Sequence, residues 1–274
     1  YTMNELPDLV EIPTSLNEQW STHGYYGSQS HNVRAVYNFY LGYFDGNPAH
    51  LDPLPPADVG VKYVAAMGGS QRVLEIGREA IKHGEYRWAA ELLSHLVFAQ
   101  PENQEAKDLQ ADALEQMGYQ AESGPWRNFY LSGASELRNG VTQLPTPNTA
   151  SADIISNMSL KLVFGYMGVQ LNARRAAGKS LTLNFEFSDT GERHTLFLEN
   201  SVLNHWPDHA EPDADVSASL RRGTLNKVLS GQSELEAKLV NGEVQIDGDE
   251  DKLTEFMALL DDLGSNFWFN IVTP

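Results

Sequence analysis

The sequence predicts two domains, the first all-α and the second α+β. The chain has 274 residues, more than the roughly 100–150 residues that usually surround one hydrophobic core. Apolar residues follow the helical period in the first half, whereas after residue 181 they alternate as in β-strands. We therefore expect an all-α domain over residues 1–139, a linker rich in proline and small polar residues over 140–152, and an α+β domain over 153–274.

The composition limits the partners of the protein. Lys and Arg number 19 and Asp and Glu number 37, which gives a net charge of −18 at pH 7. Because this charge repels phosphate groups and anionic lipids, nucleic acid is not an expected partner. No apolar run reaches the length of a membrane-spanning helix, so no membrane span is expected. Cysteine is absent, which excludes disulfides, thiolate metal ligands and cysteine nucleophiles.

Apolar spacing and helix-breaking residues predict the first helices. From His31 onward, apolar residues recur at the spacing of an amphipathic helix. They are Val33, Val36, Tyr37, Tyr40, Leu41 and Phe44. We expect this helix to stop near Gly42 to Gly46, where residues 45–48 supply turn chemistry. Further helices are predicted over residues 57–67 and 126–137.

A tetratricopeptide-type helical hairpin is predicted between residues 71 and 120. Five small or aromatic residues have the spacing of such a hairpin. They are Gly84, Tyr86, Ala89, Pro101 and Ala106. Because only one and a half repeats fit, fewer than a free-standing solenoid needs, we expect these helices to pack on another surface, and we predict a homodimer formed by the first domain.

A change of period predicts the second domain. Alternating apolar residues predict strands in six segments, which are residues 181–187, 195–197, 216–220, 235–239, 244–246 and 267–271. Helices are expected at residues 153–164, 224–230 and 249–262. This order predicts an open sheet with one buried face and helices packed on it.

Two segments of the first half carry a family resemblance. Residues 24–32, Gly-Tyr-Tyr-Gly-Ser-Gln-Ser-His-Asn, and residues 40–49, Tyr-Leu-Gly-Tyr-Phe-Asp-Gly-Asn-Pro-Ala, closely resemble the start of the dimerisation domain of the alkylsulfatases. The resemblance continues through residues 86–93, 116–123 and 126–131. The second half is similar to the C-terminal domain of the same family, which resembles sterol carrier proteins. Alkylsulfatases are zinc hydrolases with a metallo-β-lactamase-type catalytic domain.

The resemblance implies a role as the part of an alkyl sulfate hydrolase that follows its catalytic domain. The family's His-x-His-x-Asp-His metal signature has no counterpart in these residues, so the chain alone is expected to be inactive, and the two zinc ions would depend on an upstream catalytic domain. The chain begins at Tyr1 without an initiator methionine or a leader pattern, which favours a processed or truncated product.

In this interpretation each domain has its own task. The first domain forms the dimer and closes one side of the active site, and the second holds the alkyl chain of an alkyl sulfate or a fatty ligand. The alternative is a non-enzymatic lipid-binding carrier or scaffold protein, in which the second domain binds lipid and the first is an assembly module.

Three residues near the start of the first long helix are the candidate site residues. The resemblance implies that His31 is a zinc ligand, and the hydroxyls of Tyr25 and Tyr26 could reach a sulfate oxygen. Neutral imidazole is an ordinary zinc ligand, and zinc activates water at neutral pH. The alternatives are a helix cap or surface position for His31 and loop packing for the two tyrosines.

The remaining polar candidates have simpler interpretations. His23 is expected to be an exposed loop residue, with a sulfate-binding cation as its alternative. His194, His205 and His209 form no metal motif, so they are expected at the surface or at strand edges. The acidic run at residues 247–251 lacks the register of a calcium loop and is interpreted as a solvated helix N-terminus.

Overall fold

The computed structural model describes residues 1–143, 151–261 and 269–274. They form two compact units. The helical unit contains residues 1–143 and 269–274, and the sheet unit contains residues 151–261. The predicted order, an all-α domain followed by an α+β domain, is confirmed. Of the predicted linker, residues 144–150 lie outside the described residues.

Eight α-helices form the described part of the helical unit. They are α1 (Leu6–Leu9), α2 (Thr14–Asn17), α3 (Gln29–Leu41), α4 (Pro56–Ala66), α5 (Ser70–Lys82), α6 (Tyr86–Ala99), α7 (Gln104–Gln120) and α8 (Gly124–Asn139). Helix α3 stops where Gly42 adopts a φ of +78°, a conformation that glycine reaches without strain. Phe44, which the sequence placed in the stripe of this helix, therefore lies beyond its end.

The predicted helical hairpin is formed by α5, α6 and α7. Gly84 separates α5 from α6 with a φ of +76°, and Ala89 and Ala106 are fully buried in the core of the unit. The neighbouring helix α4 approaches α6 closely at Gly60, where an added Cβ would lie 2.5 Å from the carbonyl oxygen of His95. Glycine is therefore required at this crossing.

The helical unit also includes residues 269–274. The carboxylate of Glu136 on α8 accepts hydrogen bonds from the backbone N–H groups of Ile271 and Val272, at 2.9 and 3.1 Å. The side chain of Val272 packs against the cluster that contains Leu114, above Gly133. The sequence assigned these residues to the second domain and predicted a strand over 267–271. Residues 269–271 are not a strand, and Phe267 lies outside the described residues.

The sheet unit contains five strands and five helices within its described residues. The strands are β1 (Leu181–Phe187), β2 (Arg193–Glu199), β3 (Val202–Pro207), β4 (Val216–Leu220) and β5 (Val244–Gly248). The helices are α9 (Ala152–Asn157), α10 (Leu160–Gln170), α11 (Arg222–Leu229), α12 (Leu235–Val240) and α13 (Glu250–Met257). The strand order is β3-β2-β1-β4-β5, and all pairs are antiparallel except β1 with β4.

One face of the sheet is buried, because the apolar residues of paired strands stand in register. Leu183 pairs with Leu196 of β2 and with Val216 of β4, and all three belong to the buried cluster that contains Phe164 of α10 and Phe256 of α13. The next residue of each strand points to the other face, as the period of two requires. The sheet therefore has the apolar buried face that the alternating pattern predicts. On the other face Thr195 is also buried, and its hydroxyl donates to the carbonyl oxygen of His209 at 3.0 Å.

Two predictions for this unit were wrong, and one strand was not predicted. The segment 235–239 is the helix α12, because Leu235 and Leu239 also have the i, i+4 spacing of a helix face. The edge strand β3 was not predicted, since its residues are mostly exposed and do not alternate in hydropathy. The helix predicted over 153–164 is two helices, and Ser159 starts the second by accepting the N–H of Leu162 at 3.3 Å.

The acidic run starts a helix as expected. Asp249 caps α13, and its side chain accepts the N–H of Asp251 at 3.0 Å. The positive end of the helix dipole stabilises the carboxylates at the start of α13. The predicted helix extended to Asp262, which lies outside the described residues; α13 itself ends at Met257.

Candidate functional site

The candidate site lies where a glycine-flanked loop leads into α3. The side chain of Ser28 caps this helix by accepting the backbone N–H of His31 at 3.1 Å. This cap places His31 in the first turn of α3, where it follows the loop that contains Tyr25 and Tyr26. All three candidate residues thus lie within one short segment of the helical unit.

His31 is an exposed side chain rather than a helix cap. Ser28 makes the cap, so the helix-cap alternative for His31 does not hold. The imidazole approaches Trp126 of α8 edge-on, with 6.4 Å between the ring centroids. Within the described residues neither ring nitrogen makes a hydrogen bond, which leaves a lone pair on the neutral ring for an external partner.

The two tyrosines differ in their surroundings. Tyr25 is 41% exposed, and its ring lies against those of Trp20 and His23, with centroid distances of 5.4 and 5.6 Å. Loop packing therefore accounts for the Tyr25 ring. Tyr26 is 83% exposed, so its hydroxyl is available to a ligand.

The loop rests on the junction between α7 and α8, which we call the α7–α8 corner (residues 122–124). Nδ1 of His23 lies 2.7 Å from a carboxylate oxygen of Glu122. The hydroxyl of Ser123 donates to the carbonyl oxygen of Tyr26 at 2.6 Å, and the N–H of Gly124 donates to that of Tyr25 at 2.8 Å. The sequence does not reveal these contacts, because about a hundred residues separate the corner from the loop and no local pattern links them.

His23 is paired rather than simply exposed. Its Nε2 lies 2.9 Å from the carbonyl oxygen of Asn17, so both ring nitrogens have partners. The hydrogen bond to Glu122 is the main reason why the pKa of His23 is raised above its usual value. The loop histidine and the carboxylate thus form an ion pair when the ring is protonated.

A cleft of about 640 Å³ opens between the loop, the start of α3 and the α7–α8 corner. Its walls include His23, Ser28, Asn32, Glu122 and Trp126. The three candidate residues from the sequence are not among its lining residues. Tyr25, Tyr26 and His31 therefore lie beside this cleft, and polar side chains of the α7–α8 corner and of α3 line it.

Metal-binding side chains do not gather in the described part of the chain. No group of three or more His, Asp or Glu side chains there could hold a metal ion. A zinc ion usually needs three or four protein ligands. His31 therefore fits one ligand position at most, and any complete zinc site would need ligands from elsewhere.

The sheet unit contains a second group of histidines, which corrects an expectation. His194 was expected at the surface or an edge, but it is 3% exposed, and its Nδ1 has no hydrogen-bond partner in the described residues. Its ring centroid lies 5.0 Å from that of Phe164 and 6.3 Å from that of His205. Burial lowers the pKa of both histidines. His209 is half-buried beside Glu211.

The space between the sheet and its helices is occupied by side chains. Phe164, Phe187 and Phe256 are fully buried there. An ordinary hydrophobic core therefore accounts for the alternating apolar residues. Among the described residues, no helix has both the length and the hydropathy of a membrane span.

Comparisons with known proteins identify both halves of the chain. A family model for alkyl sulfatase dimerisation matches residues 2–140, and one for the alkyl sulfatase C-terminal region matches residues 148–274. A linear primary-alkylsulfatase of Pseudomonas sp. is 50% identical over 274 residues, which is all of this chain and 40% of that protein. An (R)-specific secondary-alkylsulfatase of Pseudomonas sp. is 42% identical over 275 residues, 41% of its length.

A solved structure agrees with these matches. The stereoselective inverting sec-alkylsulfatase of Pseudomonas sp. superposes on the whole chain with a TM-score of 0.93 at 41% identity. The chain covers 43% of that structure, so it spans about two fifths of the length of the relatives it matches. The chain therefore belongs to the alkylsulfatase family and corresponds to its dimerisation and C-terminal regions.

Proposed function

We propose that the chain is the C-terminal part of a zinc-dependent alkyl sulfate hydrolase, which cleaves a long-chain alkyl sulfate to an alcohol and sulfate. The observation that carries this proposal is the match of the entire chain, at 50% identity, to a linear primary-alkylsulfatase. In the full-length hydrolase that we propose, a metallo-β-lactamase-type catalytic domain would precede these residues. Two bound zinc ions would supply an activated water for attack on the ester.

His31 is the residue that would contribute to the zinc site. Its imidazole is exposed and has no hydrogen-bond partner within the described residues, and the cap at Ser28 fixes its place in the first turn of α3. A neutral imidazole in this state can bind zinc through a ring nitrogen. The other zinc ligands would come from the catalytic domain, and His31 would close one side of the zinc site.

The tyrosines of the loop would contact the sulfate group. The hydroxyl of Tyr26 is free to donate a hydrogen bond to a sulfate oxygen, because 83% of this residue is exposed. Tyr25 is held by Trp20 and His23, so its hydroxyl would act from a fixed ring. We assign the leading substrate contact to Tyr26.

Zinc content and melting temperature together test the role of His31. In the full-length enzyme that contains this chain, His31→Ala should lower both zinc per protomer and turnover. The melting temperature of the metal-free protein should stay within about 2 °C of the wild type, because an exposed side chain adds little to stability. The matched control is His83→Ala, at an exposed histidine after α5. Full zinc occupancy in the His31→Ala variant would overturn the ligand assignment.

The chain alone should not hydrolyse alkyl sulfates. Its described residues do not assemble three metal-binding side chains, and a two-zinc site needs several ligands with their supporting hydrogen bonds. The measurement is hydrolysis of dodecyl sulfate by the purified chain with added zinc. Turnover that follows the protein through purification would contradict the proposal that catalysis requires an upstream domain.

We also propose a homodimer that forms through the outward face of α3 and the turn after it. Four large side chains of this face are exposed by 59, 81, 76 and 87%, namely Val36, Phe39, Tyr40 and Tyr43. A contiguous apolar patch of this kind is typical of a protein interface. The match of residues 2–140 to a dimerisation family model supports a dimer formed by this domain.

A charge placed in the α3 face tests the dimer. Phe39→Glu should convert a dimer into a folded monomer, because burying an unpaired carboxylate in an apolar interface is costly. The control is Val240→Glu, at a residue 91% exposed in the sheet unit, which should stay dimeric. Sedimentation at micromolar concentration measures both, and a monomeric wild-type chain would contradict the proposal.

A further inference from the structure

Three consecutive residues of the α7–α8 corner each bond to one residue of the loop before α3. Glu122 pairs with His23, Ser123 with Tyr26, and Gly124 with Tyr25. We propose that this corner is a positioning element, which sets the loop and the start of α3 for contact with the sulfate group. The inference rests on the proposed function. In it the corner does not contact the substrate itself but acts through the loop and α3.

Two of the three contacts act on the backbone of the loop. The Ser123 hydroxyl and the Gly124 N–H donate to the carbonyl oxygens of Tyr26 and Tyr25, at 2.6 and 2.8 Å. Because they hold carbonyl groups, they fix the path of the chain without occupying either tyrosine hydroxyl. The Tyr26 side chain therefore stays free for a ligand although its backbone is fixed.

The third contact fixes the start of the loop. His23 uses one ring nitrogen for Glu122, at 2.7 Å, and the other for the carbonyl oxygen of Asn17, at 2.9 Å. A ring with both nitrogens engaged has none left for a sulfate oxygen. The alternative role of His23 as a sulfate-binding cation is therefore replaced by a structural one, in which the ring joins the loop to the corner.

The corner is well suited to this task because it belongs to a rigid part of the helical unit. Helices α7 and α8 pack so closely that a Cβ on Gly118 would lie 2.9 Å from the side chain of Leu131. Ser123 is 3% exposed and caps α8, and the guanidinium of Arg127 donates to the carbonyl oxygen of Ala121 at 2.8 Å. A loop held by such an element keeps its side chains in a productive geometry.

The same element reaches α3 as well as the loop. Trp126, in the first turn of α8, lies edge-on to the ring of His31, with 6.4 Å between the centroids. The corner and the turn that follows it thus contact the loop of Tyr25 and Tyr26 and also the helix start that carries His31. One rigid junction can therefore hold all three candidate residues in a fixed relation.

The test compares variants of the corner in the full-length enzyme. Ser123→Ala removes the bond to Tyr26 and also the cap of α8, so its matched control is Asn103→Ala, which removes the cap of α7 and touches no loop residue. Glu122→Ala removes the partner of His23, whereas Glu122→Gln keeps an oxygen that can accept from Nδ1. Hydrogen exchange of the amides of residues 23–28 is measured beside kcat and KM for an alkyl sulfate.

We expect Ser123→Ala and Glu122→Ala to speed exchange in residues 23–28 about tenfold and to lower kcat about 10- to 100-fold, because a displacement of about 1 Å has effects of this size. Asn103→Ala should change neither quantity. Glu122→Gln should recover most of the wild-type kcat. A structural role alone would lower the melting temperature of Asn103→Ala and Ser123→Ala alike and leave kcat unchanged at moderate temperature.

Other results would each contradict a specific part of these proposals. Unchanged exchange in Ser123→Ala would show that the corner does not hold the loop. Faster exchange with unchanged kcat, or an equal loss of kcat in Asn103→Ala, would overturn the positioning role while the proposed hydrolase activity stands. A wild-type enzyme without alkyl sulfate turnover would overturn the proposed function, and this inference with it.

Discussion

The imidazole of His194 lies 6.3 Å from that of His205, between ring centroids, on the buried side of the sheet. Both rings also approach Phe164 of α10, at 5.0 and 6.1 Å. Burial is the main cause of the lowered pKa of each histidine; the charge of Lys161 lowers that of His205 further, and the carboxylate of Glu192 partly opposes the shift at His194. The folded protein therefore holds two neutral imidazoles against an aromatic ring.

This pair should make the sheet unit sensitive to mild acid. An unfolded histidine takes up a proton near pH 6.5, whereas the folded pair does so only at lower pH. The free energy of unfolding should therefore be at its full value above about pH 6.5 and fall as the pH drops below it. His194→Leu should reduce the loss of melting temperature between pH 7 and pH 5.5. An equal loss in both proteins would contradict the assignment.

His23 should show the opposite behaviour. Its pKa is raised, mainly by the hydrogen bond to Glu122, so the folded protein binds the proton more tightly than the unfolded chain. The stabilising contribution is present below about pH 6.5 and is lost as the pH rises through the folded pKa. NMR titration of the ring should show that Glu122→Gln lowers the pKa of His23. A pKa that stays the same in this variant would mean that the pair does not form in solution.

Gly60→Ala should separate α4 from α6. The new Cβ would lie 2.5 Å from the carbonyl oxygen of His95 and 3.1 Å from the N atom of Ala99, and backbone atoms cannot rotate away. We expect a loss of about 1–3 kcal/mol in the free energy of unfolding. The control is Gly165→Ala on α10, where no atom lies within 4 Å, and which should gain up to about 1 kcal/mol. Denaturant titration distinguishes the two signs.

Val272→Ala should weaken the helical unit although this residue follows the sheet unit in the chain. Its Cγ1 packs above Gly133 and against the cluster that contains Leu114, so we expect a loss of about 1–2 kcal/mol. The neighbouring Ile271→Ala is the control, since that side chain is 54% exposed and should change stability by less than about 0.5 kcal/mol. Equal effects would contradict the packing of Val272.

The sequence was most informative where structure is local. The helical period and the stops at Gly42 and Gly84 predicted the main helices, because both signals act within a few residues. It was least informative for short elements of the sheet unit. In α12, Leu235 and Leu239 fit a strand and a helix equally, and the structure forms a helix in which Lys238 pairs with Glu243 at 2.8 Å.

The candidate site divides in the same way. His31, Tyr25 and Tyr26 could be proposed from the sequence because they lie in one segment with a family resemblance. Glu122 and Ser123 also lie in a segment of that resemblance, residues 116–123. Their contacts with the loop could not be predicted, since they bridge about a hundred residues and follow no period. Such contacts are set by the packing of α7 against α8, which only the folded chain reveals.

The place of residues 269–274 has a consequence for the order in which the protein is made. Within these residues, a ribosome releases helices α1 to α8 before the strands, and the segment that packs on α8 only after the strands. The helices can form early, because their neighbours are close in sequence. Until Val272 emerges, however, the surface around Gly133 and Leu114 stays open to water. The helical unit is thus begun before the sheet unit and completed after it.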